Sequence, residues 1–166
     1  MLRGKEQIAR AVGHLDSAFL SFILAGSVVM VISNIVNPHS VKETPVQLLF
    51  CAASLWATNI LIFACWYWRI DAGGPIERDQ RHRHEDGAFL FPQMTMNQEM
   101  REQTGMVRWS PGFVDYLFLA FNTSTALSPA DTGALTRWAK ALMMLQASIS
   151  LIIIVLMAAR AVNMLQ

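Results

Sequence analysis

The residues of this chain best suited to chemistry are a run of short oxygen- and amide-bearing side chains: Asn122, Thr123, Ser124, Thr125, Ser128, Asp131 and Thr132. Hydroxyls, amide carbonyls and one carboxylate are hard oxygen donors, the type that replaces the water around a small cation. Asp131 supplies the negative charge that would draw a monovalent cation to such a place. The plainer alternative is a polar turn, with Thr123 and Thr125 bonding back to their own helix. In it Ser128 or Asp131 caps the next helix. The sequence leaves both open. No nucleophile–base pair, phosphate-binding loop or metalloprotease motif accompanies the run, so no enzyme, cofactor or metal centre is expected. His82, His84, Glu85 and Asp86 could approach a divalent ion, but Arg81 and Arg83 among them oppose one.

The elements that must position these residues are apolar and long. A helix needs roughly 20 apolar residues to cross a hydrocarbon core about 30 Å thick. Residues 15–36, 46–68 and 138–160 meet that length, the last with an uncharged portion at 141–159. Over the 166 residues, 54% are hydrophobic and 15% charged. Soluble domains carry about 25% charged residues. The expectation is an all-α transmembrane helical bundle, a single membrane domain in the lipid bilayer. The net charge of +1 comes with no basic patch, which leaves no case for a nucleic-acid partner.

The second span has a readable start: Thr44 as N-cap, Pro45 at the first helical position and Gln47 placed to close a capping box. It ends in Trp66, Tyr67, Trp68 and Arg69, an interfacial aromatic belt. A hydrophilic loop, 70–111, follows. Within it Phe89, Leu90, Phe91 and Pro92 form an apolar patch expected to rest on the membrane surface, and 95–104 reads as a brief polar helix. Residues 112–127 are apolar at first and polar at the end. They are too short for an ordinary span, so they are either a short fourth span or a re-entrant half-helix. Charge favours the former: with four spans and both ends inside, Arg3, Lys5, Arg10, the arginines of 69–108 and Arg160 lie on one side. Only Lys42, Arg137 and Lys140 lie on the other.

A second polar set, Gln47, Ser54, Thr58 and Asn59, runs along the second span with Cys51 and Cys65. Its spacing gives a small-residue helix-packing stripe. Asn59 lies near mid-helix and needs a partner, for which Gln146, Ser148 and Ser150 on the last helix are candidates. Asp115 reads as a first-turn carboxylate or as a partner of Arg108 or Arg160.

Two resemblances follow from these motifs. From Tyr116 onward the aromatic helix, the hydroxyl-rich turn, Asp131 and the last helix with Ala159, Arg160, Ala161 and Val162 distantly resemble a potassium-channel pore module. The glycine filter of that family is missing, since there is no glycine between Gly112 and Gly133. More closely, Phe63 through Trp68, then Asp71, Ala72, Gly73, Gly74 and Pro75, then Phe89 through Met94, and finally Asp115, Tyr116, Leu117 and Ser128 through Thr132 resemble uncharacterised multi-pass inner-membrane proteins of bacteria. That likeness implies a helical protein of the bacterial inner membrane, with no established activity. The function expected is channel-like or transport-related ion conduction through the hydroxyl-rich turn and the last helix of a homo-oligomer. The alternative is a non-conducting scaffold or accessory subunit that binds a partner through 70–111.

Overall fold

A computed structural model describes residues 15, 18–23, 26–27, 29, 44–80, 87–125 and 131–163. Most of the expected first span therefore lies outside the described residues, as do Ser128 and the stretch from His82 to Asp86. Residues 18–23 of that span are helical.

The described elements are α1 (Pro45–Ile70), a 3₁₀ turn (Asp71–Gly73), α2 (Pro75–Gln80), β1 (Phe89–Leu90) and a second 3₁₀ turn (Pro92–Thr95). They continue with α3 (Gln98–Gln103), α4 (Phe113–Thr125), β2 (Gly133–Ala134) and α5 (Arg137–Asn163). Among the described residues the regular elements are helical apart from β1 and β2, which pair antiparallel with Phe89 opposite Ala134 and Leu90 opposite Gly133. Strands of two residues leave no alternating pattern to read in a sequence.

Helix α1 starts as its capping box requires. The Thr44 N–H donates to Gln47 Oε1 (3.0 Å), and the Gln47 N–H donates to Thr44 Oγ1 (3.4 Å). It stops where the backbone turns left-handed at Ala72 (φ 49°), Gly73 (82°) and Gly74 (91°). A side chain at Gly74 would place its Cβ 2.9 Å from the Arg69 carbonyl oxygen, so the corner needs glycine there. Helix α3 is capped by Asn97, whose Oδ1 accepts the Met100 N–H at 2.8 Å. Helix α5 begins later than its polar prelude suggests. The residue that caps it is Thr136, whose Oγ1 accepts the Ala139 N–H at 3.3 Å, not Ser128 or Asp131.

The stretches Leu49–Gly73 and Arg137–Ala159 are the described helices long and apolar enough to cross a membrane. Helix α5 leaves Met144, Leu145, Leu151, Ile152 and Val155 exposed along one face, while Ala139, Gln146, Ser150 and Ile153 are buried on the other.

The chain divides into two compact units. One holds the first 62 residues and those from Ser148 onward. Inside it the amide of fully buried Asn59 donates from Nδ2 to Ser150 Oγ at 2.6 Å, joining α1 to α5. Gln47, Cys51, Ser54 and Thr58 of the polar stripe are exposed. The other unit, Phe63–Ala147, contains the end of α1, the loop, α4, β2 and the beginning of α5. Its centre is aromatic. Phe89 is fully buried, with ring centroids 5.1 Å from Tyr67, 6.3 Å from Tyr116 and 6.0 Å from Trp138. Phe91 packs on Tyr116 (5.3 Å) and Trp109 (5.7 Å). Of the patch expected on a membrane surface, Phe89 and Phe91 are thus core residues of this unit, Leu90 is half-buried and Pro92 is exposed.

Candidate functional site

Around that core three buried polar side chains tie the loop to the helices. Asp71, the first residue past α1, is fully buried. Its Oδ2 accepts the Tyr116 hydroxyl at 2.6 Å, and its Oδ1 accepts the Ala88 N–H. Arg78, 4% exposed, turns back onto the end of α1. Its Nη1 donates to the carbonyls of Trp68 (2.8 Å) and Asp71 (2.7 Å). The Trp68 carbonyl belongs to the last turn, which a helix end leaves without intrahelical donors, and the Asp71 carbonyl also accepts the Gly74 N–H at 2.9 Å. The same guanidinium lies 5.0 Å from the Tyr116 ring centre, a cation–π distance. A carboxylate and a guanidinium are thereby buried together, each with donors or acceptors to replace water.

Deeper along α4 a second network forms. Gln146 of α5 is fully buried; its Oε1 accepts the Tyr67 hydroxyl at 2.6 Å. Its Nε2 donates to the Ala120 carbonyl (2.7 Å) and to Ser124 Oγ (3.2 Å). Ser150, not Gln146, is the described partner of Asn59.

The path of the chain through this unit follows from these contacts. Phe113, at the start of α4, stacks edge-on against Trp68 at the end of α1 (5.7 Å). Helix α4 is 13 residues long, about 20 Å, and Thr125 lies about 14 Å beyond Tyr116. Yet β2 pairs with β1 beside Tyr116, and Trp138 packs on the same Phe89. Eight residues on from Trp138, Gln146 meets Ser124, eight residues on from Tyr116. Helix α4 and the first turns of α5 therefore point the same way. Strand β2 and Trp138 thus lie near the end at which α4 begins.

The hydroxyls expected to act together are used in different ways. Thr123 Oγ1 donates to the Leu119 carbonyl (2.8 Å), and Thr125 Oγ1 to those of Phe121 and Asn122 (3.2 Å each). Ser124 is engaged by Gln146. Asn122 is half-buried, Thr132 buried and Asp131 exposed. Asp131 and Thr132 line a pocket of about 170 Å³ together with Phe91, Gln93, Asp115 and Phe118. Gln93 Oε1 is buried without a hydrogen-bond partner. Asp115 bonds the Gly112 N–H (2.7 Å), where a first-turn carboxylate also meets the positive end of the helix dipole. Among the described residues no group of three or more His, Cys, Asp and Glu side chains is placed to hold a metal ion.

Sequence reasoning missed Tyr67, Asp71, Arg78 and Phe89. Tyr67 read as a belt residue and Asp71 as a turn residue. The available signal was an acid three residues past an uncharged span and two residues before a pair of glycines. Compared with protein-family models, curated proteins and solved structures, the chain matches none.

Proposed function

We propose that this chain is a multi-pass protein of the bacterial inner membrane and that α4 is a re-entrant half-helix. With the segment that follows it and α5, it forms part of a path for monovalent cations, completed by further copies of the chain. The observation that carries this reading is the return of the chain. Helix α4 covers about 20 Å of a core about 30 Å thick, and β2 pairs with a strand beside the start of α4. Backbone that turns round at membrane depth is tolerated where protein or a watery cavity surrounds it. The two long apolar helices, and the large apolar side chains that α5 leaves exposed along one face, support a lipid setting. Asp131 and Asp115 beside the mouth supply negative potential. The hydroxyls of Thr123 and Thr125 bond their own helix, so any ion contacts fall to the segment after Thr125 and to Asp131. Without filter glycines, the conduction proposed does not use the potassium-filter geometry.

The test is cation flux into proteoliposomes. Wild type conducts, and Asp131→Asn lowers flux about fivefold at low salt, since one charge at contact range is worth about 1 kcal/mol in water. High salt shrinks the difference. Absence of flux, with capture of a soluble partner that is lost when residues 78–108 are replaced, would establish the scaffold alternative instead.

A further inference from the structure

We infer that Gln146 is the positioning residue of the half-helix: it fixes the depth of the last turns of α4 and, through them, sets the selectivity of the path. The second part rests on the pore reading above; the first does not. Gln146 is fully buried and uses both ends of its amide on different helices. The carbonyl is held by Tyr67 of α1 at 2.6 Å, which fixes the rotamer and decides which end is NH₂. The NH₂ then reaches the Ala120 carbonyl at 2.7 Å and Ser124 Oγ at 3.2 Å, one turn apart on α4. A donor shared between two successive turns resists sliding of α4 along α5 as well as rotation about its own axis. Rotation by one residue would turn Ser124 away, and a shift by one turn would offer the amide a different pair of groups. At its other end α4 is held by Asp71 through Tyr116. Gln146 is therefore the hold on the end from which the returning segment departs. An apolar residue of similar size would keep the packing and remove this register.

The experiment pairs two readouts on the full chain in lipid nanodiscs and proteoliposomes. Hydrogen exchange followed by mass spectrometry reads α4 whether or not the protein conducts. In Gln146→Leu the amides of 119–125 are expected to exchange about tenfold faster, the loss of a modest hydrogen bond, while α3 and α1 keep their rates. Ser124→Ala should do the same to a smaller extent. It is the fallback should Gln146→Leu fail to fold. The reversal potential under a potassium–sodium gradient should shift in both variants, with Asp131 intact. Unchanged exchange in 119–125, or acceleration spread evenly over all helices, would overturn the positioning role. Localised acceleration with an unmoved reversal potential would overturn the link to selectivity. A wild type without flux would remove the pore reading and the selectivity claim together, and the exchange result would still decide what holds α4.

Discussion

The Tyr116 and Tyr67 hydroxyls make bonds of equal length, 2.6 Å, to different acceptors. Tyr116 donates to a buried carboxylate and Tyr67 to a neutral amide. Hydrogen bonds to charged groups contribute about 1.5–3 kcal/mol and neutral ones about 0.5–1.5. Tyr116→Phe should therefore cost more than Tyr67→Phe, by about 1 kcal/mol. In thermal unfolding in detergent the Tyr116 variant should melt several degrees below wild type and a few degrees below the Tyr67 variant. Equal melting temperatures would mean that Asp71 does not depend on Tyr116. None of this ranking was legible in the sequence. Tyr67 and Gln146 are 79 positions apart, and Asp71 and Tyr116 are 45 apart. Nothing local distinguishes a belt tyrosine from one that holds a buried amide. Thr123 and Thr125 were legible in the plainer of their two roles, because a threonine hydroxyl within a helix finds the carbonyl one turn back.

At the scale of elements, the helices whose ends are written in local chemistry were the readable ones. Thr44, Pro45 and Gln47 gave the start of α1, and the unbroken apolar run gave the body of α5. Their interaction was partly readable too. An amide in an uncharged apolar helix needs a partner, and Ser150 was among the three residues that could supply it. In membrane helices such bonds average about 0.6 kcal/mol, with a maximum near 1.7. A double-mutant cycle of Asn59→Leu and Ser150→Ala, read by reversible unfolding in mixed micelles, should give a coupling in that range. Zero coupling would mean that packing, not the bond, joins α1 to α5 there. The loop was the least readable element. Phe89 and Phe91 sit in polar sequence, and their cover comes from Tyr67, Tyr116 and Trp138, none of them a neighbour in the chain.

For the whole molecule, the return of the chain and the charge count give opposite topologies. If α4 crossed the membrane, its two flanks would face opposite sides; if it is re-entrant, they share one. The flanks offer exposed positions: Gln103, the last residue of α3, and Leu135, 55% exposed, before α5. With Cys51 and Cys65 replaced, single cysteines at Gln103 and at Leu135 should react with an impermeant maleimide from the same side in sealed vesicles. Reaction from opposite sides would restore the four-span arrangement and remove the pore proposal. Charge counting weighs arginines by their place in sequence. Arg78, one of those counted, is a buried cap on α1 rather than a free loop charge.

The pairing of β1 with β2 also sets an order of assembly. The strand at Phe89 leaves the ribosome well before the one at Gly133. Throughout that interval Phe89 lacks Trp138, and Tyr67 lacks Gln146. The loop can close only after the last helix has begun to form, because a contact so distant in sequence must first bring together the ends of a long intervening loop. A chain stalled before residue 131 would therefore show the cell's quality-control machinery an aromatic cluster without Trp138 and a Tyr67 hydroxyl without its acceptor. Completion of the final helix is the step that hides both.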